Sequence, residues 1–188
     1  MRSFLILHGW QGSGPGHWQT WLAGRLRANG EHVHYPDLPD ADDPYLEAWL
    51  DALRGELDSM PDGETTVVCH SLACVLWLHH VERGGRQAAR LLLVAPPEPM
   101  DPVASFFPAP MPELASEVRL ACSDNDPYAP AGAATLFGER LGVPVDLLPG
   151  AGHVNPESGY GPWPEAEAWC LGQRESVAGS GAKNGTDT

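Results

Sequence analysis

The chain has 188 residues, of which 43% are hydrophobic, and this is enough to bury the core of one domain. Its formal net charge is −14, and it has only 11 lysines and arginines. Nucleic acid and anionic membrane surfaces are therefore poor partners, and we do not expect the protein to bind them. No apolar stretch approaches the roughly 20 residues that a membrane span needs.

The first predicted element is a β-strand over residues 3–7, within the run Phe4-Leu5-Ile6-Leu7. This start superficially resembles a signal peptide. The apolar run is too short for one, however, and it leads directly into His8-Gly9. We therefore interpret it as the first strand of a sheet.

Strand-like and helix-like segments then alternate almost to the end of the chain. Short apolar or β-branched runs predict six strands, at residues 3–7, 33–35, 65–69, 91–95, 118–122 and 143–148. Helical spacing of large apolar residues predicts helices between and after them, at residues 17–29, 44–57, 72–81, 131–141 and 162–172. Strands separated by helices indicate parallel βαβ units. The predicted fold class is therefore α/β, a three-layer αβα sandwich with about six parallel strands.

Two segments interrupt the alternation. Residues 96–112 contain seven of the 19 prolines, so we expect an ordered loop there, which either lines a pocket or fills part of the core. From Arg174 onward the chain is small and polar. We expect one domain over residues 1–173 and a flexible tail over residues 174–188.

Ser71 is the candidate nucleophile. It lies in Cys69-His70-Ser71-Leu72-Ala73, directly after a predicted strand and directly before a predicted helix. A sharp strand-to-helix turn exposes one side chain and leaves backbone N–H groups around it. The usual elbow is Gly-x-Ser-x-Gly, and the small residues Cys69 and Ala73 stand where it has glycines. Taken alone, the pentapeptide is also compatible with an ordinary turn and a capping serine.

An acid and a histidine follow in the order that a Ser-Asp-His triad requires in such sheets. Asp126 and Asp124 both come after the strand that ends at Cys122, and Asp126 is preferred, with Asp124 making a local turn contact. His153 lies in a loop after the last strand and is the best candidate base. His17 is open to two interpretations, as a pocket residue or as a helix-start residue. Four other histidines, His32, His34, His79 and His80, are expected at the surface or in packing.

An oxyanion hole needs two backbone N–H groups. The amide of Leu72 follows the nucleophile at the start of a helix, whose dipole favours negative charge. The second amide is expected from the loop after the first strand, where Trp10 is the best candidate and Gln11 the next. Trp18, Phe106 and Phe107 are candidate substrate-binding residues, although packing in the core is an equally good interpretation of these aromatics.

The glycine-rich segment Gly12-Ser13-Gly14-Pro15-Gly16 suggests a competing function. It follows a strand and opens a helix, as a dinucleotide-binding loop does. The third glycine of that motif is replaced by His17, and Pro15 removes an N–H that a phosphate would need. The histidines, cysteines and acids show no metal-ligand spacing. We therefore expect no cofactor and no metal.

The combination of motifs resembles the α/β-hydrolase superfamily, and within it the small serine hydrolases of the retinoblastoma-binding-protein-9-like family. The segments that carry the resemblance are His8-Gly9-Trp10, residues 16–22, residues 35–39, His70-Ser71-Leu72, Asp126-Pro127-Tyr128 and residues 152–155. They span nearly the whole chain up to about residue 172. The resemblance implies a compact α/β-hydrolase fold without the first two superfamily strands, and a triad of Ser71, Asp126 and His153.

These observations favour a cofactor-independent serine hydrolase that acts on small esters, and on amides as a second class. The alternative is that the fold serves as a protein-binding module with weak or no catalysis, since fold does not decide function. The protein partner that such a module would bind is unknown. The four cysteines, Cys69, Cys74, Cys122 and Cys170, show no Cys-x-x-Cys spacing. We expect them to be free thiols in the reducing cytoplasm.

Overall fold

Six parallel strands form the centre of the molecule. In this computed structural model, which describes residues 2–114, 117–130 and 132–179, they are β1 (Ser3–Leu7), β2 (His32–His34), β3 (Thr65–His70), β4 (Arg90–Val94), β5 (Glu117–Ser123) and β6 (Val145–Leu148). Their order across the sheet is β2-β1-β3-β4-β5-β6, and every neighbouring pair is parallel. The prediction of six parallel strands is confirmed.

In the part of the chain that the structure describes, five α-helices connect or follow the strands: α1 (Trp18–Ala28), α2 (Leu46–Ser59), α3 (Leu72–Glu82), α4 (Ala133–Leu141) and α5 (Pro164–Cys170). Each lies within a few residues of its predicted position. Helices α1 and α5 contact each other, and so do α2 and α3. The two pairs pack on opposite faces of the sheet, which gives the predicted three layers.

The alternation of side chains along each strand produces the two faces. In β1, Leu5 and Leu7 pack in one hydrophobic cluster with residues of α2 and α3, such as Trp49. Phe4 and Ile6 point the other way and pack with residues of α1 and α5. Because both faces are covered, these strands are apolar throughout rather than alternating with polar residues.

The direction in which successive strands are added to the sheet reverses between β1 and β3. From β1 the chain moves outward to β2, then crosses back to β3 and continues outward through β4, β5 and β6. In open parallel sheets, ligands bind outside the carboxyl ends of the strands at this kind of switch point. The loops after β1 and β3 therefore face a natural crevice.

The two segments that interrupt the alternation of strands and helices show local structure in the described residues. The proline-rich loop 96–112 contains a short 3₁₀ helix, Asp101–Phe106, with Pro102 in its first turn, where the missing N–H costs nothing. Of the predicted tail, residues 174–179 are described. Val177 is fully buried there, and its N–H donates to Asp146 Oδ2 at 2.6 Å. Residues 180–188, the rest of the predicted tail, lie outside the described residues.

Among the described residues, no helix combines the length and the apolar character that a membrane span requires.

Candidate active site

Ser71 occupies a strained turn between β3 and α3. Its backbone has φ 54° and ψ −123°, a combination that non-glycine residues rarely adopt. Its N–H donates to Val94 O of the neighbouring strand at 2.8 Å, which fixes the turn. Cys69 and Ala73, which stand where the usual elbow has glycines, are both fully buried. Their small side chains are accommodated, and Ser71 still points out of the carboxyl edge of the sheet.

A close approach to the serine involves Gly9, in the loop after β1. A Cβ atom at this position would lie 2.7 Å from Ser71 Cβ and 3.2 Å from Ser71 Oγ. Real Cβ atoms do not approach other heavy atoms this closely. Position 9 therefore has to be glycine for the nucleophile loop to sit beside β1.

Three side chains from three loops form a continuous hydrogen-bonded chain. His153 Nε2 is 2.8 Å from Ser71 Oγ, and His153 Nδ1 is 3.0 and 2.9 Å from the two carboxylate oxygens of Asp126. Because a carboxylate accepts, Nδ1 carries the proton, and Nε2 is left to accept from the serine hydroxyl. All three residues are buried. The arrangement is that of a nucleophile, a base and an orienting acid.

The histidine loop is attached to the loop that follows β5. Asn125 Oδ1 accepts from Gly152 N at 2.7 Å, one residue before His153. Asp124 Oδ1 accepts from Gly150 N at 2.7 Å, so its contact joins two distant loops and is not the local turn contact predicted. These bonds hold the loop of Asp126 and the loop of His153 in a fixed relative position.

The neighbourhood of the serine includes both predicted oxyanion donors. Leu72 and Trp10 line the same cavity as Ser71, and Leu72 is the first residue of α3. Gln11, the second choice, donates its N–H to Ala41 O at 2.8 Å. Its amide is therefore committed, which leaves Trp10 as the better candidate of the two.

A cavity of about 250 Å³ opens in front of the serine. Its walls come from the loop after β1, the start of α3, the proline-rich segment and the loops that carry the acid and the base. Besides Ser71, Leu72 and Trp10, the lining includes Gly12, Gly14, His17, Pro97, Met100, Val103, Tyr128, Asn155, Pro156 and Glu157. Residues 96–112 thus contribute one wall, as one of the two interpretations of that loop predicts.

His17 proves to be both a pocket residue and a helix-start residue. It lines the cavity, and its Nδ1 accepts from Gln19 N at 3.1 Å as the N-cap of α1. Burial, with the nearby His153 and His8 as smaller causes, lowers the pKa of His17 to about 4. The imidazole is therefore neutral near pH 7, with its proton on Nε2.

Two further buried histidines support the site in neutral form. His70 Nε2 donates to His153 O at 2.9 Å, and burial holds the pKa of His70 well below its ordinary value. His8 Nδ1 donates to Gly9 O at 2.7 Å, while its Nε2 accepts from Leu38 N at 2.8 Å. Burial lowers the pKa of His8 as well. Both rings thus serve as fixed hydrogen-bonding supports beside Ser71 and His153.

The three aromatic residues predicted to bind substrate do not line the cavity. Trp18 is fully buried, and its Nε1 donates to Val154 O at 2.8 Å, beside the histidine loop. Phe106 is also fully buried and packs edge-on against Trp49 at 5.3 Å between ring centroids. Phe107 is half-buried against the same hydrophobic cluster. The prediction was wrong for these positions because an apolar residue near the site can equally well face the core.

Several residues of the site were missed by sequence reasoning. Gly9 carried a signal, since a glycine directly after a strand often marks a close backbone approach. Asn125 lies next to the predicted acid, but nothing in its spacing indicated a bond to a loop 27 residues away. Tyr128 follows the acid closely, and its ring packs 4.6 Å from that of His153.

Comparison with known proteins gives a family match over most of the chain. The sequence profile of the family described as "Serine hydrolase" matches residues 4–170. YdeN of Bacillus subtilis (strain 168) is 35% identical over 81 residues, which are 43% of this chain. That alignment spans only 42% of YdeN, so the chain covers less than half of this curated relative.

Solved structures show the same fold over nearly the whole chain. A YdeN-like protein from Pectobacterium atrosepticum has a TM-score of 0.81 at 23% identity and covers 95% of this chain and 94% of its own. The ydeN gene product of B. subtilis has a TM-score of 0.77 at 21% identity and covers 92% of this chain and 98% of its own. At these identities the likeness establishes the fold.

Proposed function

The chain belongs to the serine hydrolase family, and we propose that it hydrolyses small carboxylic esters, and amides as a second class, through a covalent acyl-enzyme. The observation that carries this proposal is the 2.8 Å contact between His153 Nε2 and Ser71 Oγ, with Asp126 on the other ring nitrogen. A serine hydroxyl is a weak nucleophile unless a base lies within hydrogen-bond reach. Here the base is in reach and its orientation is fixed.

The proposed reaction proceeds in two halves. Ser71 Oγ bonds to the acyl carbon while its proton passes to His153 Nε2, and Asp126 stabilises the imidazolium that forms. The bond from the acyl carbon to the leaving oxygen then breaks as His153 returns the proton to that oxygen. In the second half, water gives a proton to His153 while its oxygen bonds to the acyl carbon. The bond from that carbon to Ser71 Oγ then breaks as His153 returns the proton to Oγ, which releases the acid and restores Ser71.

The negative charge that develops on the carbonyl oxygen is assigned to two backbone donors, the amides of Leu72 and Trp10. Leu72 begins α3, so the positive end of the helix dipole supports the same charge. The hydrogen bond that occupies the amide of Gln11 favours Trp10 as the second donor.

Short acyl chains are the preferred substrates in this proposal. A cavity of about 250 Å³ lies just below the usual range for ligand pockets, which favours a small ester. Its walls are largely loops around the serine rather than a long apolar channel. Activity is expected to fall as the acyl chain lengthens.

The finer affiliation and the location are also proposals. Three of the motifs that resemble the retinoblastoma-binding-protein-9-like family contribute residues to this cavity: His8-Gly9-Trp10, His70-Ser71-Leu72 and residues 152–155. We therefore propose that the chain is related to those small hydrolases. All four cysteines are free and buried. This supports a reducing compartment, and we propose the cytoplasm.

The test is turnover of 4-nitrophenyl esters of increasing acyl length by the wild type, by Ser71→Ala and by Ser59→Ala. Ser59 is an exposed serine at the end of α2, which makes it a matched control. We expect turnover that is highest for short chains, lost in Ser71→Ala and unchanged in Ser59→Ala. A folded wild-type protein without turnover would contradict the proposal and favour a hydrolase-fold binding module.

A further inference from the structure

One buried side-chain donor in the cavity remains unused by the proposed reaction. Of the lining residues, four have buried polar side chains: His17, His70, Ser71 and His153. Ser71 and His153 bond to each other, and His70 donates to His153 O. This leaves the Nε2–H of His17 as the free donor among these four.

The protonation of His17 is fixed by its position at the start of α1. Nδ1 accepts from Gln19 N at 3.1 Å, so the proton must sit on Nε2. Within the described parts of the chain, no residue accepts a hydrogen bond from Nε2, and this atom is not among the enclosed polar atoms without a partner. It is therefore open to the cavity.

The ring that carries this donor cannot easily move. His17 is only 4% exposed, and its ring lies 4.8 Å from that of His70 and 5.6 Å from that of Trp18. The cap hydrogen bond to Gln19 fixes the orientation as well. A donor that is held in place before substrate arrives gives stronger discrimination than a mobile one.

A substrate that fills the cavity removes water from this N–H. An alkyl group placed against it leaves a buried donor unsatisfied, whereas an oxygen atom replaces the lost water. A neutral imidazole offers one hydrogen bond and no net charge. The complementary group is therefore a neutral oxygen acceptor rather than a carboxylate or a phosphate.

We propose that His17 contacts the substrate and selects esters with an ether, hydroxyl or carbonyl oxygen close to the scissile bond over plain alkyl esters. This inference rests on the proposed ester hydrolysis. It makes His17 a specificity-determining residue, since the proton transfers are assigned to His153 and Asp126.

Matched esters and one variant test the inference. The acyl pair is 4-nitrophenyl methoxyacetate and 4-nitrophenyl butanoate, which have chains of equal length and differ by an oxygen in place of a methylene. The alcohol pair is 2-methoxyethyl acetate and butyl acetate. Each kcat/KM is divided by the rate constant for hydroxide hydrolysis of the same ester, which corrects for intrinsic reactivity.

The variant is His17→Asn. An asparagine oxygen can still cap α1, while the shorter side chain no longer presents an N–H at the position of Nε2. In at least one pair, we expect the wild type to favour the oxygenated ester about fivefold to tenfold, in line with one hydrogen bond. His17→Asn is expected to abolish that preference. The matched control is His32→Asn at the amino end of β2, whereas the cavity lies at the carboxyl ends of the strands, and this variant should leave both ratios unchanged.

The outcomes separate this inference from the function on which it rests. The inference is supported if the wild type prefers the oxygenated ester in either pair and His17→Asn loses that preference. If all four esters are hydrolysed and His17→Asn lowers them equally, His17 is structural and the inference is overturned while ester hydrolysis stands. If a folded wild type hydrolyses none of them, both fail. Thermal unfolding of each variant shows whether it is folded.

Discussion

At the scale of single residues, the site depends on a backbone strained at Ser71 and on a neighbour small enough to permit it. A residue with φ 54° and ψ −123° carries a cost of about 1–3 kcal/mol that the surrounding structure must offset. The hydrogen bond from Ser71 N to Val94 O and the close passage of Gly9 both hold the turn. The strain exposes the hydroxyl where a histidine can reach it.

Gly9→Ala should slow the reaction of Ser71, although it replaces no triad residue. The added Cβ would lie 2.7 Å from Ser71 Cβ, so the serine must shift. We expect a destabilisation of about 1–3 kcal/mol, as for other overpacked positions. Reaction with a fluorophosphonate probe should slow by more than about tenfold, because small displacements of a reacting group are costly.

The control for that experiment is Gly24→Ala, on an exposed position of α1 with open space around it. Alanine is the better helix former, so this variant should be as stable as the wild type or more stable, and equally reactive. Equal labelling rates for Gly9→Ala and the wild type would show that the close approach does not constrain the serine.

Stability should fall in mild acid because several histidines are buried in neutral form. The pKa of His17 is lowered from 6.5 to about 4, so the unfolded chain binds the extra proton between these values. Stability is complete above pH 6.5 and is lost as the pH falls towards 4. For His17 alone the loss between pH 7 and pH 5 is on the order of 2 kcal/mol. Burial lowers the pKa of His8 and His70 in the same direction.

Urea unfolding at pH 7 and pH 5 measures this effect. The loss of unfolding free energy between the two pH values should be smaller in His17→Asn than in the wild type. Identical losses would mean that His17 does not titrate with folding.

The three residues of the proposed triad could be predicted from the sequence. The packing of the aromatic residues near the site could not. Ser71, Asp126 and His153 each follow a strand in the chain order of a known arrangement, so their chemistry marks them. Trp18 and Phe106 were misassigned because an aromatic side chain close to a site in sequence can rotate into the core. Which way it points depends on packing between elements, and no local pattern encodes that.

At the scale of elements, the loops after β5 and β6 act as one unit. Asn125 Oδ1 accepts from Gly152 N at 2.7 Å and from the Ser123 hydroxyl at 2.6 Å. This joins the loop that bears the acid to the loop that bears the base. Asn125→Ala should lower kcat about tenfold because His153 is held less well, while Asn125→Asp should keep the acceptor and most of the activity.

Asn29→Ala is the matched control for the loop prediction. Asn29 caps α1, and its side chain donates to Glu167 at 3.2 Å, far from the cavity. Removing it should cost stability of the same order but leave kcat unchanged. If kcat falls equally in Asn29→Ala and Asn125→Ala, the effect is one of general stability rather than of positioning.

The elements themselves were well predicted, because a sheet buried on both faces produces unmistakable apolar runs. The sequence could not place the short 3₁₀ helix inside the proline-rich segment, since proline there both ends regular structure and starts a tight turn. Nor did composition indicate that Val177 would anchor the chain after α5, because its neighbours are small and polar.

At the scale of the whole molecule, the fold brings distant loops to one edge. Parallel strands all end on the same side, so the loops after β1, β3, β5 and β6 converge. Residues 71 and 153 are 82 positions apart, yet their side chains are within hydrogen-bond distance. The topology therefore accounts for the site, while the proposed reactivity depends on local chemistry.

The central claim is that Ser71 is a nucleophile activated by His153. The most direct measurement is mass spectrometry of the intact and digested protein after treatment with a fluorophosphonate. We predict one covalent adduct, located on Ser71, which is absent in Ser71→Ala and forms more than about a hundredfold more slowly in His153→Ala. A folded wild-type protein that stays unmodified, or that carries the adduct elsewhere, would contradict the account.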